Sequence, residues 1–128
     1  MSLLKGLGVV SFNVTDWQQA KKFYGETLGL PIAFDMGEEV GWCEFGEEGK
    51  TTLAINWWRE SSPPPRGGGA TPVFNVDHCA EAVKELRRRG VKVDDPVTIP
   101  DMVSFANVYD PEGNRFQVAQ TLASFPQS

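Results

Sequence analysis

The chain has 128 residues, of which 41% are hydrophobic and 23% charged, with a formal net charge of −5 and a pI near 4.8. That length suffices for one globular domain with its own core, while the acidic balance excludes the basic footprint that nucleic acid requires and no apolar run approaches a membrane span. Two cysteines and an opening stretch, 1–7, without an apolar signal-peptide region point to free thiols in a reducing compartment, so the expected location is cytoplasmic.

Residues 7–14 alternate, with Val10, Phe12 and Val14 on one side and Val9, Ser11 and Asn13 on the other. A period of two marks a half-buried strand. A helix is predicted over 15–28. Asp16 suits its N-cap, with Gln19 three residues on as in a capping box, and Trp17, Ala20, Phe23, Tyr24 and Leu28 form one apolar stripe. Gly29 closes the helix and Pro31 keeps it from resuming. Three strands are predicted over 31–36, 40–45 and 51–57, joined by turns at 37–39 and 46–49. Stretch 61–69 holds three prolines and three glycines and reads as a linker.

After the linker a strand is predicted over 70–76 and a helix over 78–89, with Ala82, Val83 and Leu86 inward and Gly90 at its end. Arg87, Arg88 and Arg89 fall in its last turn, where cations suit the helix dipole, so this basic cluster is assigned a structural role. Three more strands are expected over 91–99, 102–109 and 115–121, the last two joined by a tight turn at 110–114. The tail beyond Leu122 is expected to fray.

Phe-Asn-Val occurs twice, at 12–14 and 74–76, an offset of 62 residues. Each copy is followed by a helix that ends at glycine. Self-similarity on this scale marks a duplicated unit. The chain therefore reads as one domain, 1–128, built from module one (1–60), the linker (61–69) and module two (70–125). Each module runs strand, helix, strand, strand, strand.

These features resemble the vicinal oxygen chelate superfamily, the glyoxalase/bleomycin resistance protein/dioxygenase family. The residues carrying the likeness are Asn13-Val14-Thr15-Asp16, then Phe23-Tyr24 with Leu28-Gly29-Leu30, and Asp110-Pro111-Glu112-Gly113-Asn114. The resemblance implies an α+β fold in which two βαβββ modules form a curved eight-stranded mixed sheet around a cleft, with helices outside, in a homodimer. In the family's metal enzymes four strands each supply one ligand, normally His, Gln or Glu. The matching positions here are Val9, Ala54, Thr71 and Gln117. Valine and alanine cannot ligate and threonine is a poor ligand. A slip of one residue brings in Gly8, Val10, Leu53, Ile55, Ala70 or Pro72, which are no better. The single histidine, His78, falls at the start of the second helix. The resemblance thus points to a member without the usual metal ligands, with no metal and no cofactor expected.

Strand parity names the residues that line the cleft. With Phe12 and Val14 under the first helix, Asn13 faces the other way with Ser11 and Val9. Thr52, Ala54, Asn56 and Trp58 share one face of the fourth strand. In module two the corresponding sets are Thr71, Val73 and Asn75, and Arg115, Gln117 and Ala119. Trp42 and Glu44 on the third strand, and Val103, Phe105 and Asn107 on the seventh, are placed on the same side. The candidate ligand-binding residues are Asn13, Trp42, Glu44, Asn56, Trp58, Asn75, Phe105, Asn107, Arg115 and Gln117. Aromatic walls with a few polar groups suit a small organic molecule, and aromatic faces beside Glu44 suit a flat or cationic one.

Alternatives stand beside several of these assignments. Asn13 and Asn75 either contact a ligand or complete local hydrogen bonds. Trp58 is either a ligand platform or a packing residue. Cys79 lies in the first turn of a helix, where thiol acidity can rise, although a buried inert thiol is the simpler assignment; Cys43 is assigned to the core. Ser11 and Ser104 have no histidine near them, which excludes Ser–His catalysis, and the glycines at 67–69 lack the lysine and strand–helix setting of a phosphate loop.

The function expected first is metal-independent binding of a small organic, aromatic or cationic ligand in the cleft, a sequestration of the bleomycin-resistance type. An alternative is an enzyme resembling glyoxalase (lactoylglutathione lyase) or a dioxygenase with displaced or missing metal ligands. Glu44, working with Arg115, is its candidate catalytic side chain, which would require a carboxyl pKa raised by a water-poor pocket. A further alternative is an accessory module with no ligand. The expected partners are the small-molecule ligand and a second copy of the chain, with no nucleic acid and no membrane.

Overall fold

The computed structural model describes residues 7–64 and 71–122. Residues 1–6 of the opening stretch, the whole glycine part of the linker with the start of the strand expected from residue 70, and the tail beyond Leu122 lie outside the described residues. The chain divides into two compact units, Met1–Arg66 and Gly67–Ser128.

The first unit runs β1 (Val9–Val14), α1 (Trp17–Lys22) with a π-helical turn (Phe23–Thr27), β2 (Ile32–Asp35), α2 (Gly37–Val40), β3 (Trp42–Phe45) and β4 (Thr52–Trp57). Its sheet has the order β1-β4-β3-β2. The β1–β4 pair is parallel and the other two pairs antiparallel. Asp16 caps α1 as its position predicts, its Oδ1 accepting the Gln19 N–H at 3.0 Å. The apolar stripe of the helix packs onto one sheet face. Trp17 stacks on Trp57 at 5.9 Å between centroids and Tyr24 meets Phe45 at 5.8 Å, over a floor of Val14, Cys43 and Ile55 that is fully buried. Burying each large apolar side chain contributes about 1.5–3 kcal/mol.

Two elements differ from expectation. The first helix keeps its α pattern only to Lys22 and then widens, the Leu28 N–H donating to the Phe23 carbonyl at 2.8 Å. The predicted strand 40–45 starts at Trp42, because residues 37–40 form a helical turn. Asp35 Oδ1 accepts the Gly37 N–H at 2.8 Å, and Gly41, at φ 78°, turns the chain back into β3. Only glycine adopts that φ without cost.

The second unit runs β5 (Val73–Asn75), α3 (Cys79–Arg88), β6 (Lys92–Val93), β7 (Val97–Ile99), β8 (Val103–Tyr109) and β9 (Arg115–Thr121). The order is β5-β9-β8-β6, with β7 also on β8. The single strand expected over 91–99 is therefore two. Pro96 has no N–H to give the ladder and restricts Asp95 before it, so the chain leaves β8 between Val93 and Val97. With that split the described residues form nine strands where eight are expected, four in one sheet and five in the other. Helix α3 lies over β6, β8 and β9, burying Cys79 and Val83 above a core that includes Val108, Phe116 and Val118. Phe74 meets Phe116 edge-on at 5.4 Å. The fold is α+β, each unit pairing one mixed sheet with a helix on one face.

The three arginines at the end of α3 are held locally. Arg88 and Arg89 both bind Glu85, at 2.5 and 2.9 Å, and their hydrogen bonds lower its carboxyl pKa to about 2. Arg87 donates to the Val93 carbonyl at 3.0 Å and to Asp95 at 2.9 Å. The turn 110–114 is built on Asp110, whose Oδ1 accepts the N–H groups of Glu112 and Asn114 while Oδ2 accepts the Asn114 amide.

Candidate functional site

In each unit the helix covers one sheet face, and strand alternation points a second set of side chains the other way. The register shows which. In the first unit Asn13 stands opposite Asn56, Trp42 opposite Asn56 and Glu44 opposite Ala54. None of these shares the parity of Cys43, Phe45, Leu53 or Ile55, which pack under α1. In the second unit Asn75 and Phe105 both stand opposite Ala119, and Asn107 and Val73 opposite Gln117.

Glu44 is the centre of the first unit's open face. Its Oε2 accepts the Trp42 indole N–H at 2.9 Å and its Oε1 accepts the Thr52 hydroxyl at 2.7 Å. These two hydrogen bonds, the indole's first, hold the carboxyl below its usual pKa, because donors stabilise the charged form. That direction is opposite to the one proton abstraction requires. Beside the carboxylate, the Asn56 amide donates to Asn13 Oδ1 at 3.1 Å. Ala54, with no exposed area, forms the floor.

The second unit's open face carries the Gln117 amide donating to Asn107 Oδ1 at 3.0 Å. Arg115 reaches Thr71 Oγ1 at 3.4 Å. Asn13 has an amide partner across its ladder, whereas its repeat counterpart Asn75 faces Ala119, so the two copies have diverged at this point. Trp58 follows β4 and its indole N–H donates to the Ser62 carbonyl at 2.7 Å, which fixes the ring against its own loop.

Strand parity alone does not reveal Phe34. Straight alternation puts Ile32 and Phe34 on one face, but β2 carries an extra residue there. Ile32 stands opposite Phe45, Phe34 opposite Glu44 and Asp35 opposite Cys43. The bulge sends Phe34, 53% exposed, to the Glu44 side and returns Asp35 to the helix side, where Lys21 Nζ meets it at 2.6 Å. Re-aiming a side chain is what one inserted residue does to a strand.

The four positions that resemble metal-ligand sites do not fit a divalent cation. Val9 and Ala54 offer only carbon, the Thr71 hydroxyl faces a guanidinium, and Gln117 supplies one amide. Among the described residues no three His, Cys, Asp or Glu side chains converge. His78 precedes α3 without a side-chain capping bond. Both thiols are buried; burial pushes that of Cys43 up to about 11, and the Cys79 N–H donates to Gln120 Oε1 at 2.9 Å. Among the described residues no helix is long and apolar enough to cross a membrane.

Comparison with known proteins agrees with this architecture. The chain is 29% identical to TnmS3, an antibiotic binding protein from Streptomyces sp. CB03234, with a TM-score of 0.76 over 94% of this chain and 99% of that one. A glyoxalase/bleomycin resistance protein from the same organism is 30% identical, with a TM-score of 0.70 over 90% and 100% of the two chains. YetH of Bacillus subtilis (strain 168) is 27% identical over 116 residues, 89% of this chain and 97% of that protein. The family model for the Glyoxalase/Bleomycin resistance protein/Dioxygenase superfamily matches residues 6–118, and the chain belongs to that superfamily.

Proposed function

We propose that this protein binds a small organic molecule on the open sheet faces, without a metal, and acts by holding its ligand rather than transforming it. The observation that carries this reading is the network of Trp42, Thr52 and Glu44 beside the Asn13–Asn56 amide pair. Aromatic and amide groups with preset hydrogen bonds, on a face its own helix leaves open, are what a small-molecule site needs. The antibiotic-binding character of TnmS3 supports the same reading. Enzymatic chemistry of the glyoxalase kind draws less support, because the donor set does not fit a metal and Glu44 is held as a weak base. The homodimer and the cytoplasmic location expected from the sequence belong to this proposal, and sedimentation of the purified protein checks the first.

A thermal-shift screen of aromatic drugs and metabolites, with and without EDTA, tests it. A ligand at about 100 times its Kd stabilises the fold by about 2.7 kcal/mol, which is a shift of several degrees. The expected result is at least one ligand whose shift is unchanged by chelator. Stabilisation only when a divalent metal is added contradicts the reading.

A further inference from the structure

We propose that the first unit's open face selects ligands carrying a protonated nitrogen on an aromatic skeleton, with Glu44 as the charge-reading group and Phe34 and Trp42 as flanking aromatic faces. This inference rests on the ligand-binding reading above and names the chemical class of the ligand.

Three observations converge on it. First, Glu44 stays ionised: two neutral donors, an indole N–H and a hydroxyl, hold it as a carboxylate, and neither brings a positive charge that would neutralise it. Second, the carboxylate has acceptor capacity to spare. An ionised carboxylate offers about four lone-pair positions, and among the described residues Trp42 and Thr52 take one on each oxygen. Third, the bulge in β2 spends a strand irregularity to bring Phe34 opposite Glu44, and leaves that ring half-exposed. A phenyl ring in water next to a fixed anion serves no core. Beside an aromatic ammonium it supplies a face for the ring and a quadrupole for the charge.

A purely structural role for the network makes a different prediction. If Glu44 serves only to tie β3 to β4, its charge has no counterpart in any ligand, and ligand charge will not matter. If it reads charge, an uncharged alcohol of the same shape keeps at most one hydrogen bond to the carboxylate and brings no positive charge to offset the anion's desolvation.

The test uses matched probes on the full chain: 2-naphthylmethylamine against 2-naphthylmethanol, together with further amine/alcohol pairs on aromatic skeletons. Binding is followed by two-dimensional 1H–15N NMR, in which the Trp42 indole N–H reports directly on the Glu44 carboxylate. The expected result is that each amine binds about ten-fold or more tightly than its alcohol and moves the Trp42 indole signal. Glu44→Gln then brings the two affinities together, chiefly by weakening the amine. Phe34→Leu, at a half-exposed position on the edge strand, weakens both by loss of the ring face and the amine by about a further two- to five-fold through loss of the cation–π contact. Equal binding of amine and alcohol overturns charge selection while leaving ligand binding standing. An amine preference that survives Glu44→Gln overturns the assignment to Glu44. Absence of binding by every pair, with no hit in the thermal-shift screen, overturns both readings.

Discussion

At the scale of single residues, the environment of Glu44 decides what it can do. A carboxyl with a lowered pKa contributes stability that is present above its unfolded value, 4.5, and is lost as pH falls through the folded value. The Trp42 indole signal should therefore titrate with a midpoint below 4.5, and Glu44→Gln should abolish that step. Glu44→Ala leaves the Trp42 indole N–H without its acceptor and the nearly buried Thr52 hydroxyl with only the Gly8 carbonyl at 3.5 Å, at a cost of about 1–2 kcal/mol by denaturant unfolding. Parity read from the sequence pairs Trp42 with Glu44 on one strand and Asn56 with Ala54 on the next, because a period of two is written directly in the residue order; the β3–β4 register shows that the two sets share a face. The hydrogen bonds between them were not legible, since they depend on which strands lie side by side.

At the scale of elements, the three places where the chain departs from simple alternation are the informative ones. The bulge in β2 moves Phe34 to the Glu44 side, and no periodicity in residues 31–36 announces it; one unpaired residue is a property of the pairing, visible only once β3 is in place. The helical turn α2 is likewise invisible to a turn reading of Gly37, Glu38 and Glu39. The split of the strand over 91–99, by contrast, has its cause in the residue order, at Pro96, which the single strand expected there passes over. Gly41 closes α2 at φ 78°, and a Cβ built there would lie 2.8 Å from Trp57 Cβ and 2.9 Å from an Arg59 guanidinium nitrogen. The guanidinium can move; the Trp57 Cβ, on a paired strand, cannot. Gly41→Ala should thus cost roughly 2–4 kcal/mol, measured by urea unfolding, and should disturb the Arg59 guanidinium that lies 4.1 Å from the Trp57 ring centroid.

At the scale of the whole molecule, the duplicated Phe-Asn-Val segments are the scaffold and the side chains opposite them are the variable part. Phe12 and Val14 share the helix-covered face with Ile55 and Trp57, and Phe74 shares the corresponding face with Val118. Asn13 and Asn75 start from the same place and end with different neighbours, an asparagine and an alanine. The fold was readable because the scaffold repeats; the ligand was not, because a site is defined by the residues that do not. The central claim is metal-independent ligand binding on the open faces, and protein-observed NMR with a ligand from the thermal-shift screen, in excess EDTA, tests it most directly. The account predicts saturable shifts of the Trp42 indole N–H and of the Asn56 or Gln117 side-chain amides. Binding that disappears with EDTA, or shifts confined to α1 and α3, would contradict it.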